Sequence, residues 1–290
     1  MQILINILQT CSLYLIVAIS YAIIYFVAKF FHIAHAAVIT IAPYFVFLFS
    51  QQCGLSLFVA LPLAILFAVL LGLITEQFVY KPLRKYNVQP FTILIASLGL
   101  YVVLQNIISM VWGDATLSIR VSEVKIGLNI FGAYITAIQI ITIAVSATTF
   151  ISSIIFFSYT NLGMNMRAVS SNTELANIFG ISSNQIIFWA FALGSAFAAI
   201  AGILVAFDTD MRPTIGFSLF LYGVVAIIIG GIGSHWGLLF ASLLLATAQH
   251  LGAYYIDSKW MDAIAYLILI IFLIFKPFGF SGQRLKKIEL

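Results

Sequence analysis

The chain has 290 residues, of which 63% are hydrophobic and only 8% are charged, with a formal net charge of +4 and a mean hydropathy of +1.15. A soluble domain carries about 25% charged and about 45–50% apolar residues, so this composition excludes a water-soluble enzyme. The apolar excess needs lipid as its solvent, and the charges fall in short clusters between apolar runs, leaving no stretch that reads as a soluble domain.

Taken in chain order, the first apolar run covers 3–28. It has no basic residue ahead of it and is longer than a signal core, so it reads as a retained helix. His32 and His35 follow, then a weaker run at 36–52 containing Pro43. Further runs occupy 55–77, 91–112 and 131–157, and then 186–207, 217–233, 237–255 and 262–278. Each approaches the ~20 helical residues that cross a ~30 Å hydrocarbon core. The expectation is an all-α polytopic membrane protein of eight to ten helices, with nine preferred. The segments 29–52 and 217–255 are candidates for broken or re-entrant helices, the second because Gly230-Gly231-Ile232-Gly233 alone joins its two halves. Nothing in the runs has the ~10-residue alternation of a membrane barrel. In 186–207, Ala190, Gly194, Ala198, Gly202 and Ala206 recur every fourth residue, a small-residue seam for close helix approach. Cys11 and Cys53 sit in or beside apolar runs and read as packing residues.

Lys and Arg set the direction. With nine spans, Lys29, Lys81, Arg84, Lys85, Arg167, Lys276, Arg284, Lys286 and Lys287 share one side, against Arg120, Lys125, Arg212 and Lys259 on the other. The first side is therefore cytoplasmic, the amino terminus faces out and the tail faces in. Asp114, Glu123, Asp208, Asp210, Asp257 and Asp262 fall outside. The basic tail from Arg284 to Lys287 reads as an anchor beside anionic lipid, too short for nucleic-acid binding.

The longest cytoplasmic connection, 158–185, has structure of its own. Ser171 and Glu174 fit a capping box, Leu175, Ile178 and Phe179 form one apolar face of a short helix, and Gly180 stands where a left-handed terminating residue belongs. A helix lying on lipid is usually rich in Lys and Arg, and only Arg167 is near. A protein socket explains the exposed apolar face better.

The spacing Gly163-x-x-x-Arg167-Ala168-x-x-x-Asn172-x-x-x-Ala176-x-x-x-Gly180-Ile181 resembles the cytoplasmic coupling loop of ABC importer permeases of the branched-chain amino acid type. Further stretches resemble the same family. They are His32-Ile33-Ala34-His35, the run Glu76-Gln77-Phe78-Val79-Tyr80-Lys81-Pro82-Leu83-Arg84, Pro213-x-x-Gly216 leading into Gly230-Gly231-Ile232-Gly233-Ser234, and the closing Lys276-Pro277-Phe278-Gly279-Phe280. The family's Ala-His-Gly and Gly-Ala-Tyr appear here as Ala34-His35-Ala36 and Ala42-Pro43-Tyr44. The resemblance implies a single permease domain over 1–290 that carries no cofactor. It implies ATP bound in two separate ABC ATPase subunits, a second similar permease subunit and an extracytoplasmic solute-binding protein. The docking surface for the ATPase would be Gly163, Arg167, Ala168, Asn172, Glu174, Leu175, Ala176, Ile178, Phe179 and Gly180. In that reading Arg167 and Glu174 supply polar contacts, with Leu175, Ile178 and Phe179 as apolar anchors. The location implied is a bacterial inner membrane.

Other constellations are weaker. His32 and His35, three apart, lack a nearby third metal ligand and read as polar residues at the cytoplasmic boundary of the membrane. Asp208-Thr209-Asp210 reads as a solvated loop paired locally with Arg212. The glycine run is followed by Ser234-His235-Trp236 instead of Gly-Lys-Ser and is no phosphate loop. His250 with Asp257 suggests a proton relay, but ionisable groups inside the spans are scarce. Gln105, Asn106, Gln139 and Gln249 are neutral and suited to holding helices together. A polytopic membrane enzyme using Asp208, Asp210 or His250, and an ion-coupled carrier, are the competing readings.

Overall fold

A computed structural model of the chain describes residues 1–86, 88–120, 127–130, 132–276 and 279–280. Lys125, Glu123, Pro277-Phe278 and the basic tail Arg284 to Lys287 lie outside the described residues.

The elements in chain order are α1 (Gln2–Ala28), α2 (His35–Phe47), α3 (Leu57–Thr75), α4 (Lys81–Lys85), α5 (Pro90–Trp112), β1 (Leu128–Ile130), β2 (Ala133–Ile135) and α6 (Ala137–Tyr159). They continue with α7 (Asn161–Ser171), α8 (Thr173–Ile178), α9 (Ser183–Thr209), α10 (Ile215–Gly230), α11 (His235–Tyr255) and α12 (Met261–Phe275). Single π-helical turns follow α2 at Leu48–Gln52 and α3 at Glu76–Tyr80. The second leaves Leu57–Lys85 one continuous helical stretch of 29 residues. Among the described residues seven helices are long and apolar enough to cross a membrane, and α10 is a shorter apolar one. α2 and α10, with 13 and 16 residues, fall in the two regions where the sequence suggests broken or re-entrant helices. The β1–β2 hairpin is a local departure from the helical pattern. Gly132, at φ +79°, occupies its turn, and the side-chain amide of Gln2 closes its edge by donating to the Tyr134 carbonyl at 3.0 Å and accepting the Tyr134 amide at 2.9 Å.

The chain forms two compact units, one of 1–19, 125–150 and 221–290 and the other of 20–124 and 151–220. In the first, neutral polar side chains tie the helices together as their chemistry suggests. Gln249 accepts from the Tyr14 hydroxyl (2.7 Å) and donates to the Met261 carbonyl (3.1 Å). Gln139 donates to Gln9 (2.8 Å), and Ser146 to the Ser12 carbonyl (3.0 Å). Tyr222 donates to Asp262. Gly230 and Gly237 let the ends of α10 and α11 meet backbone to backbone across the glycine turn, since a Cβ on Gly237 would lie 2.0 Å from the Gly230 carbonyl oxygen.

The second unit is organised around α2. Val38, Ile39, Thr40, Ala42 and Tyr44 have no exposed surface, because α3, α5 and α9 all pack on this one short helix. The small-residue seam makes the approach possible. Ala190, Ala198 and Ala206 are fully buried, and Gly194 and Gly202 lie against the Ser20 and Ile39 carbonyls. A matching seam on α3 (Ala60, Ala64, Ala68 and Gly72) is likewise buried, with Gly72 against Ser195. Small side chains that admit close backbone contact are how membrane helices gain packing energy when lipid is as apolar as leucine.

Candidate functional site: a capped helical pair between two long helices

Helices α7 and α8 lie between α6 and α9, and each of their ends is closed by a specific device. Thr160 caps α7, its hydroxyl accepting from the Gly163 amide at 3.0 Å while donating to the Phe156 carbonyl at 2.7 Å. Asn172 ends α7 and starts α8, its side-chain oxygen accepting from the Leu175 amide at 3.0 Å. This corrects the capping box expected at Ser171 and Glu174. Ser171 is the last residue of α7, and the cap belongs to Asn172, whose extended backbone (φ −152°, ψ 108°) turns the chain between the helices. Gly180 closes α8 at φ +84°. The Gly180 amide reaches the Asn177 carbonyl and the Ile181 amide reaches the Ala176 carbonyl, the paired bonds of a Schellman end. Asn177 also accepts from the Ser183 amide at the start of α9 (3.0 Å).

With its ends closed, the pair sorts its residues into two faces. Gly163, Met166, Val169 and Ala176 are buried, and a Cβ on Gly163 would lie 2.2 Å from the Phe156 carbonyl oxygen. Gly163 and Ala176, both counted in the expected docking surface, therefore shape the pair from within. Leu175, Ile178 and Phe179 are 51%, 78% and 76% exposed. Asn172, Glu174, Gly180 and Arg167 are exposed too. Ala168, Asn172, Leu175, Ala176, Phe179 and Ile181 line an open groove of about 260 Å³. Covering a side chain such as Leu175 or Phe179 stabilises by about 1.5–3 kcal/mol, so the exposed face offers a partner several such increments.

The remaining constellations resolve differently from their local sequence. His32 and His35 have no exposed surface, so they are packed inside the protein. Their rings are 5.5 Å apart, with His32 Nδ1 at 2.8 Å from the Tyr80 hydroxyl and His35 Nε2 at 3.1 Å from Ser20. Asp210 pairs with Arg120 at 3.0 Å, not with Arg212, and Arg120 also donates to the Asp208 carbonyl at 3.0 Å. A bridge between Leu117 and Met211 secures the same corner. The His250 ring nitrogen lies 2.8 Å from the Thr10 hydroxyl, and Asp257 caps the short turn after it by accepting from the Lys259 amide. The imagined His250–Asp257 relay is therefore not assembled. Cys11 is buried, Cys53 is exposed, and both are free.

Long apolar helices, small-residue seams and a structured polar-capped pair between two spans define a polytopic membrane protein. The model of the branched-chain amino acid transport system permease component matches residues 3–273, and the chain belongs to that family. It is 30% identical to the high-affinity branched-chain amino acid transport system permease protein LivH of Salmonella typhimurium, over 94% of this chain and 92% of the relative. It is 29% identical to the corresponding protein BraD of Pseudomonas aeruginosa, over 98% and 96%. Among solved structures, PsaBC from Streptococcus pneumoniae in complex with Fab shares the fold at a TM-score of 0.52 and 17% identity, covering 99% of this chain and 95% of that one. The protein is thus a multi-pass protein of the bacterial inner-membrane type.

Proposed function

We propose that this chain is the membrane-spanning subunit of an ATP-driven importer of branched-chain amino acids, and that α7 and α8 are the surface on which a separate ATPase docks. The observation that carries the docking assignment is the pairing of rigid caps with exposed anchors. Thr160, Asn172 and Gly180 hold the pair in one shape while Leu175, Ile178 and Phe179 stand out of it. A surface that must transmit force gains from that rigidity, because an unstructured loop would absorb the displacement. Family membership and the full-length likeness to LivH and BraD support the solute class.

On this reading ATP is bound and hydrolysed in two partner subunits. A second similar permease subunit completes the pathway, an extracytoplasmic binding protein delivers the solute, and lipid covers the outer helices. Arg167 and Glu174, exposed and in no ion pair among the described residues, supply polar contacts at the socket. Closure of the ATPases would push on the pair, and through its packing on α9 the movement enters the membrane helices.

The test is co-purification from gently solubilised membranes, with ATP-driven uptake of leucine measured alongside. Arg167→Glu combined with Phe179→Asp should abolish ATPase recovery and uptake while the chain still inserts at normal yield. Intact assembly and uptake in that double variant would remove the docking assignment, and wild-type chain isolated without any ATPase would remove the importer reading itself.

A further inference from the structure

Two stretches that the sequence sets 40 residues and more apart, His32-Ile33-Ala34-His35 and Glu76 through Arg84, meet at Tyr80. Tyr80 ends the π-helical turn Glu76–Tyr80 and is completely buried. Its hydroxyl donates to Ser97 Oγ at 2.9 Å and lies 2.8 Å from His32 Nδ1. Ser97, on α5, also accepts the amide of Ala34 at 3.0 Å. Ala34 is the residue from which α2 starts and has no side-chain cap of its own. The next amides of α2 are satisfied locally, His35 to the His32 carbonyl, Ala36 to Ile33 and Ala37 to Ala34. The first amide of the buried helix thus depends on Ser97, and Ser97 on Tyr80. With the tyrosine proton given to Ser97, His32 completes the relay by donating from Nδ1, a tautomer that the pairing selects.

The π turn explains how Tyr80 comes to face this site. Eight residues along an α-helix leave two side chains about 80° apart, whereas one extra residue absorbed in a π turn brings them back within about 20°. Glu76 and Arg84 are eight apart and form a two-pronged ion pair, with one arm at 2.9 Å. Glu76 is 1% exposed and Arg84 18%. A buried carboxylate without its partner is costly, so the pair favours the π register over a straight helix. That register in turn sets the direction of Tyr80.

We propose that Tyr80 is a positioning residue for transport. The Glu76–Arg84 pair holds the π register, Tyr80 fixes the entry of α2 through Ser97 and His32, and displacement of the segment 76–85 is thereby passed to the helix at the centre of its unit. The solute-moving role rests on the importer reading, whereas the positioning of α2 does not.

The experiment uses the complete transporter in lipid nanodiscs and proteoliposomes, with Tyr80→Phe, Glu76→Gln and the charge exchange Glu76→Arg/Arg84→Glu. Hydrogen exchange at residues 34–37 reports positioning without any transport. Leucine uptake, resolved into Vmax and KM, with ATP hydrolysed per leucine imported, reports function. Tyr80→Phe should speed exchange at 34–37 about tenfold, the scale of losing one or two hydrogen bonds. It should lower Vmax several-fold at unchanged KM and raise the ATP hydrolysed per leucine. Glu76→Gln should act in the same direction, and the charge exchange should restore at least half of what Glu76→Gln loses. Unchanged exchange in Tyr80→Phe, checked with Ser97→Ala as a second route to the same bond, overturns the proposal whatever the wild type transports. Faster exchange with unaltered Vmax and coupling ratio reduces Tyr80 to a structural residue and overturns its part in transport. Absence of ATP-driven uptake in the wild type counts against the importer reading and leaves the exchange result to decide the positioning.

Discussion

The carbonyl oxygen of Ile39 lies 2.0 Å from the point that a Cβ on Gly202 would occupy. Ile39 is four residues before Pro43, which has no amide hydrogen to return to it, so α2 turns its interrupted face to the glycine of α9. The contact is backbone against backbone and cannot be relieved by a side-chain rotation. Gly202→Leu should therefore destabilise by at least the about 1–3 kcal/mol typical of overpacking. Thermal unfolding of the purified chain in detergent is the measurement, with Ala198→Gly in the same seam as a milder comparison. An unchanged midpoint for Gly202→Leu would mean that α2 and α9 do not approach as closely as described.

Gly180 illustrates the opposite case. Nothing lies within 4 Å of a Cβ added there, but its φ is +84°, so the cost of Gly180→Ala is conformational alone, about 1–2 kcal/mol. The global midpoint should hardly move, since the Schellman end closes only α8. Hydrogen exchange over 173–183 should rise about fivefold or more, the factor that about 1 kcal/mol corresponds to, confined to that segment.

Asn172 and Ser171 separate two accounts of the same turn. If Asn172 is the cap, Asn172→Ala should cost about 1 kcal/mol of local stability, and Asn172→Ser little. Ser171→Ala should be neutral or slightly stabilising, because Ser171 is helical and alanine is the better helix former. Circular dichroism of the membrane protein is too coarse for so short a helix, so limited proteolysis between 168 and 183 is the suitable readout. A larger effect at Ser171 than at Asn172 would restore the capping box read from the sequence.

What was legible depended on how far apart the deciding residues lie. The seam from Ala190 to Ala206 repeats every fourth residue within one helix, so its face is written locally and the packing follows. Gly180 was equally plain, because an apolar face followed by glycine is a local pattern. The cap was missed by one position because Ser171 and Asn172 both carry a suitable oxygen, and the extended backbone at residue 172 decides between them. The contacts of His32, Arg120 and His250 were not legible for a different reason. Their partners Tyr80, Asp210 and Thr10 are 48, 90 and 240 residues away. The π turn at Glu76–Tyr80 leaves no trace in the apolar periodicity, since the Glu76–Arg84 pair that favours its register is polar.

Cys53 offers a direct test of whether α2 crosses the membrane. The 13 residues of α2 and the five of the π turn after it span about 27 Å at about 1.5 Å per residue. That is close to the ~30 Å hydrocarbon core, so a full crossing is geometrically available even though α2 alone is too short. On the nine-span reading the bias of Lys and Arg puts the amino terminus outside. With that side fixed independently by an amino-terminal tag on the same cells, a crossing by α2 returns Cys53 to the outer side. Cys53 is exposed and Cys11 is buried, so one native thiol reports without engineering. A membrane-impermeant maleimide added to intact cells should label the chain once, and Cys53→Ser should abolish the label. Labelling only after the inner face is opened would mean that α2 enters and turns back. Residue 53 would then share a side with Lys29, while Lys81, Arg84 and Lys85 would lie opposite across α3, and every later span would need its direction reassigned.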